Sequence, residues 1–168
     1  MMGTPGVAAA QAPATQASLE KAVKASFLFK FAPFVAWPAS AAPEPGKPFT
    51  LCVSGEDPFG PLLDDVVRGQ KLSGHAVTVR RIGSKGGSTG CHMLFAGRSA
   101  DADYMPFAEI GTQPILTVSD RSSNIPGAMI KFVMQAGRVR FEIDDRTARA
   151  SGLVISSKLL GLAVSVDR

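Results

Sequence analysis

The chain has 168 residues, of which 45% are apolar and 19% charged, with a net charge of +4 and two cysteines. That length holds one compact domain with a full core. The low charge excludes a disordered chain, and two cysteines exclude a disulfide-dense mini-scaffold.

An isoelectric point near 9.3 does not make a nucleic-acid binder here. Lys and Arg are scattered, with Arg80-Arg81 the densest spot, and no basic run exists to track phosphates. The most apolar stretch, Ala25 to Ala42, carries Lys30, Pro33 and Pro38, so no direct membrane insertion is expected. Residues 1–17 read as a disordered tail, and residues 18–168 as the folded domain. Within the tail, Val7-Ala8-Ala9-Ala10-Gln11-Ala12 is either the small-residue end of an export signal or plain Ala/Pro-rich sequence.

From Ser18, a candidate cap, the pattern turns helical. Leu19, Val23, Phe27, Phe31 and Phe34 recur at three- and four-residue spacing and predict one buried stripe, with Leu28 and Phe29 outside it. Pro33 should kink the helix and Trp37-Pro38 end it. Phe49 to Val53 predicts a buried strand. Asp57 as cap and Pro58 in first position then predict a helix through Phe59, Leu62, Leu63, Val66 and Val67, stopping at Gly69.

Val77 to Ile82 alternates as a half-exposed strand. A glycine-rich loop spans Gly83 to Gly90, and Met93 to Ala96 is a buried strand. A short helix is expected near Pro106 to Ile110, then a strand over Ile115 to Val118. Ala128 to Gln135 and Arg138 to Ile143 read as a hairpin turning at Ala136-Gly137. Asp144 or Asp145 caps a helix ending near Gly152. Ser156 opens a last helix with Leu159, Leu160, Leu162 and Ala163. The whole predicts a single α/β domain: a mostly parallel sheet flanked by helices, with a C-terminal antiparallel hairpin.

Chemistry is sparse. Gly86-Gly87-Ser88-Thr89-Gly90 fits the spacing of a nucleophile elbow, but a strand follows it instead of a helix, and no His lies beyond His92. Lys85 precedes the glycines, which is wrong for a phosphate loop. Cys52, Cys91, His75 and His92 have no metal-ligand spacing. The two cysteines either pack as small hydrophobes or, in an exported protein, form a disulfide worth about 3–4 kcal/mol in the chain-entropy model. Against the bond, Cys52 stands near the end of its strand and Cys91 at the start of its own. Neighbouring parallel strands would hold them apart.

Loops leaving the carboxyl ends of such strands form a crevice. Here they carry Asp57, Arg98, Asp101, Asp120 and Arg121. A small enzyme could use carboxylates there, although caps, turns and ion pairs explain each of them as well. Phe27, Phe29, Phe31, Phe34 and Trp37 crowd the first helix and its exit. That is more aromatic surface than one core face requires, which points to an interface.

Several segments together resemble the YfiR family. They are Lys24-Ala25-Ser26-Phe27-Leu28-Phe29-Lys30-Phe31 running into Trp37-Pro38, Leu51-Cys52-Val53 with Asp57-Pro58-Phe59-Gly60, and Cys91-His92-Met93-Leu94-Phe95. They continue with Leu116 to Asp120, Gly127 to Ile130, Arg138 to Ile143 and Ile155 to Leu160, so the likeness runs from Leu19 to about Val164. The resemblance implies a periplasmic, non-enzymatic regulator without a cofactor. Such a protein represses an inner-membrane diguanylate cyclase by binding its periplasmic domain. An OmpA-like outer-membrane lipoprotein is implied as a second partner, and a homodimer as the assembly. Cys52 and Cys91 match a family cysteine pair, which favours the disulfide. The second, closely spaced pair of some relatives has no counterpart in Ser119 to Gly127.

The partner-binding candidates are Arg140, Phe141 and Glu142 on the hairpin, Ser157 and Lys158 opening the last helix, and Phe29 and Trp37. Glu142, between Phe141 and Ile143, should face solvent or a paired cation. An ordinary exposed strand carboxylate would look the same. A sensory or ligand-binding module for another membrane signalling protein is the alternative reading.

Overall fold

A computed structural model describes residues 15–168; the expected tail lies largely outside the described residues. Helix α1 (Gln16–Phe31) starts two residues before Ser18, because the Thr15 hydroxyl accepts the Ser18 N–H and caps it. Pro33 then tightens the chain into a 3-10 turn (Ala32–Phe34) leading into β1 (Val35–Ala36).

The sheet is built from β2 (Phe49–Ser54), β3 (Lys71–Leu72), β4 (His75–Gly83), β5 (Met93–Ala96), β6 (Leu116–Asp120), β7 (Ile130–Gln135), β8 (Arg138–Asp144) and β10 (Ser165–Asp167). Its order is β10-β8-β7-β6-β5-β2-β4-β3. The inner strands β4, β2, β5, β6 and β7 are parallel, while β7–β8 is an antiparallel hairpin. The order along those five is that of a doubly wound fold, reversing direction between β2 and β5. The expected architecture is therefore what forms. Ala136 and Gly137 both have positive φ (52° and 76°), the backbone that a two-residue hairpin turn requires.

The two sheet faces are covered differently. On one, α1, α2 (Pro61–Val67), α3 (Asp145–Ala150) and α4 (Ser157–Leu160) bury the main core with Leu51, Val53, Phe95, Leu116, Phe132 and Phe141. On the other, Cys52, Cys91, Leu94, Ile110 and Ile115 form a smaller cluster, with Phe107 packed against it.

Several local expectations shift. The buried face of α1 is Ala25, Leu28 and Phe31, while Leu19 and Val23 are 55% and 42% exposed. The helix lies across both α2 and the sheet, so its centre is buried on two sides and its first turns overhang the hairpin tip. Helix α2 begins at Pro61 because the Asp57 carboxylate accepts the Phe59 and Gly60 N–H groups, closing a turn first. No helix forms over Pro106 to Ile110. Turns run there with i to i+3 hydrogen bonds, and Phe107 and Ile110 fasten them to the second face. Helix α4 ends at Leu160, leaving Leu162 exposed. The short strands β1, β3, β9 (Val154–Ile155) and β10 carry too few residues for a pattern.

Candidate functional site

Three loops are knotted at the carboxyl ends of β2, β4 and β5, the place where the strand order reverses. Gly55 N–H donates to Gly83 O (3.0 Å), Glu56 N–H to Arg98 O (2.8 Å), and Gly97 N–H to Ser54 O (2.8 Å). This closeness demands glycine. A Cβ on Gly55 (φ 70°) would meet Arg98 O and the Tyr104 hydroxyl, and one on Gly97 would collide with Glu56 O. Tyr104 is fixed by Ser54, whose hydroxyl lies 3.0 Å from its own.

Around the knot lies a crevice of about 410 Å³ between α1 and the loops after β2, β5 and β6. Three of its carboxylates, Asp57, Asp120 and Glu20, have cationic partners, while Glu56 has no side-chain partner among the described residues. Asp57 pairs with Arg81 (2.7 Å) and caps its own turn. Asp120 binds the Lys24 ammonium, which also reaches Glu20 at 2.5 Å. Burial pushes the Asp120 carboxyl up, but hydrogen bonds from Lys24 and Ser122 outweigh it and hold the group below the usual carboxylate range. Burial likewise pushes Lys24 down, and its two carboxylates more than reverse this. Asp101 accepts the Asp103 N–H (3.0 Å), and Arg98 donates to Ser122 O (3.1 Å). These contacts hold the loops and the helix together.

The hairpin divides its residues between the two faces. Phe141 is buried, edge-on to Phe31 and Phe27 at centroid distances of 5.1 and 5.8 Å. Arg140 and Glu142 point the other way. Arg140 is exposed, and Glu142 receives two hydrogen bonds from Arg121 (2.7 and 2.8 Å). Ser157 and Lys158 are exposed after the Ser156 cap. Phe29 and Trp37 are half-buried against the core, and the Trp37 indole N–H donates to His92 O (3.1 Å). Trp37 therefore sits at the amino ends of β2 and β5, away from the hairpin tip. The five aromatic residues of the first helix and its exit all belong to the core or pack against it.

Cys52 and Cys91 are disulfide-bonded, with Cα atoms 5.9 Å apart. The register places Leu51 beside Met93, so Cys91 precedes the β5 ladder. A turn at Gly90 (φ 85°), closed by Cys91 N–H to Ser88 O (3.0 Å), lifts it over the face to which Cys52 points. The expected separation of neighbouring strands does not apply, because Cys91 is not on the strand.

Reading by periodicity missed Lys24, a cation on an apolar helix; its signal is Glu20 one turn earlier. Phe107 and Ile125, which wall a second cleft beside the crevice, lie in turns without a periodic pattern.

Fold and site define a disulfide-linked α/β domain suited to an oxidising compartment. Among the described residues no helix is long and apolar enough to cross a membrane. The profile of the YfiR/HmsC-like family matches residues 21–164, and the chain belongs to that family. Membership suggests a periplasmic regulator of cyclic di-GMP signalling, a regulator rather than an enzyme. No curated protein matches the chain.

Proposed function

We propose that this protein is a periplasmic brake on an inner-membrane diguanylate cyclase, docking on the cyclase's periplasmic domain and lowering cyclic di-GMP synthesis. The observation that carries this reading is the family match across residues 21–164, nearly the whole described chain. The ion-paired state of Asp57 and Asp120 supports a binding role over catalysis. A docked protein represses only if it binds the inactive state of the cyclase domain more tightly than the active one.

The docking surface centres on Arg140 and Glu142; Ser157 and Lys158 of α4 and the exposed edges of Phe29 and Trp37, on the helix-covered side of the sheet, are further candidate contacts. Phe141 contributes from beneath by fixing the strand on α1. Assembly as a homodimer and capture by an OmpA-like outer-membrane lipoprotein complete the proposal. The test is cellular. Deleting the gene should raise cyclic di-GMP, and restoring the protein to the periplasm should lower it. Unchanged cyclic di-GMP in the deletion strain contradicts the reading.

A further inference from the structure

Beside the crevice a second cleft of about 580 Å³ opens at the ends of β5 and β6. Its size is that of a small-molecule site, and it lies at the sheet end where doubly wound folds hold ligands. Its walls divide by chemistry. Met105, Phe107, Ile125 and Pro126 give an apolar side. Arg98 stands where this cleft meets the crevice and lines both.

Arg98 is held by its backbone and free at its head. Its carbonyl accepts the Glu56 N–H within the glycine knot, which fixes the Cα. Its guanidinium gives one hydrogen bond, to Ser122 O, and is in no ion pair among the described residues. Most of the donors of a planar fork are thus unused beside an apolar wall. Asp101 also lines the cleft and, with only the Asp103 N–H on its Oδ1, keeps its negative charge, so the head of an anion is placed on Arg98 and Asp101→Asn should tighten its binding.

We propose that this cleft binds a small organic anion, with a carboxylate or phosphate head on Arg98 and an apolar body against Phe107, Ile125 and Pro126. The proposal is independent of cyclase docking, because the binding is read on the isolated chain. The test titrates the isotopically labelled protein with phenylacetate and phenyl phosphate, with phenethylamine as the control of opposite charge, and follows amide shifts.

The expected result is saturable shifts, from at least one anion, confined to the lining residues. The amine should bind at least about tenfold more weakly. Arg98→Gln should weaken the anion at least about tenfold, the size expected for losing charge-assisted hydrogen bonds. Ile125→Glu, which sets a carboxylate in the apolar wall, should do the same with the thermal midpoint of Arg98→Gln unchanged. No saturable shift from either anion up to about 20 mM, equal binding of the amine, or undiminished binding in Arg98→Gln overturns the proposal.

Discussion

Lys24 of the first helix and Asp120 at the carboxyl end of β6 form a buried ion pair that ties α1 to the sheet at the crevice. The pair has a third member in Glu20, one helical turn earlier, and Asp120 also accepts from the Ser122 N–H (2.9 Å) and hydroxyl (2.8 Å). Both Asp120 oxygens are therefore used, and the Lys24 ammonium has two carboxylate partners, which is how a largely buried charge is tolerated.

Removing one member should be costly. Asp120→Asn leaves the Lys24 ammonium with Glu20 as its one remaining carboxylate and should destabilise by about 1–3 kcal/mol in urea unfolding. Acid stability follows the same group. Its folded pKa lies below the unfolded value, so its contribution is complete above about pH 4 and is lost as pH falls through the lower folded value. The Asp120→Asn variant should lack that part of the acid limb. An identical acid limb in the two proteins contradicts the assignment.

The Cys52–Cys91 bond closes a loop across a sequence separation of 39. The chain-entropy relation gives about 4 kcal/mol for that loop. Guanidinium unfolding with and without reductant should differ by about that amount. Mass measurement after alkylation without reductant should find no modified thiol in exported protein. Two modified thiols would contradict the bond.

His92 is held neutral. Its Nδ1 accepts the Thr50 N–H at 2.9 Å, and its ring stacks on Phe49 with centroids 5.1 Å apart. Burial pushes its pKa down, with nearby His75 a smaller contribution in the same direction. A histidine with a lowered folded pKa stabilises fully above its unfolded value, about 6.5, and loses that contribution as pH falls toward the folded value. Unfolding free energy should therefore drop as pH falls below about 6.5, and His92→Gln should flatten this slope. Imidazole chemical shifts that titrate near 6.5 would contradict it.

The Gly97 backbone leaves no room for a side chain against Glu56 O. Gly97→Ala should cost about 2 kcal/mol or more, as overpacking against backbone does. The broadened amide resonances should be those of Gly55, Glu56 and Arg98. A variant as stable as the parent would mean that the loops part easily.

Much of the sheet was legible because its central strands are short, mainly apolar runs, while Val77 to Ile82 showed itself by alternation. Met93 to Ala96 and Leu116 to Val118 are buried on both faces, so no alternation was needed to find them. The buried face of α1 was not legible. Leu19 and Val23 have helical spacing with Phe27, yet the tertiary path of the helix buries Ala25 and Leu28 instead. The disulfide was open from spacing alone, because the bend at Gly90 that lifts Cys91 over Cys52 has no sequence period. Of the site, the crevice loops and the Arg98, Asp57 and Asp120 positions could be named in advance. The pairings Lys24–Asp120 and Arg121–Glu142 join distant segments and needed the fold.

We propose that this chain binds the periplasmic domain of a membrane diguanylate cyclase through its hairpin surface. Calorimetric titration of the full chain against the periplasmic domain of a co-encoded cyclase tests it directly. Saturable binding at micromolar concentration or tighter is the expected result. Glu142→Arg should weaken it at least about tenfold while changing stability by less than about 1 kcal/mol, since the exposed Arg121 partner makes this a surface ion pair. No binding at micromolar concentration, or binding that Glu142→Arg leaves unchanged, would contradict it.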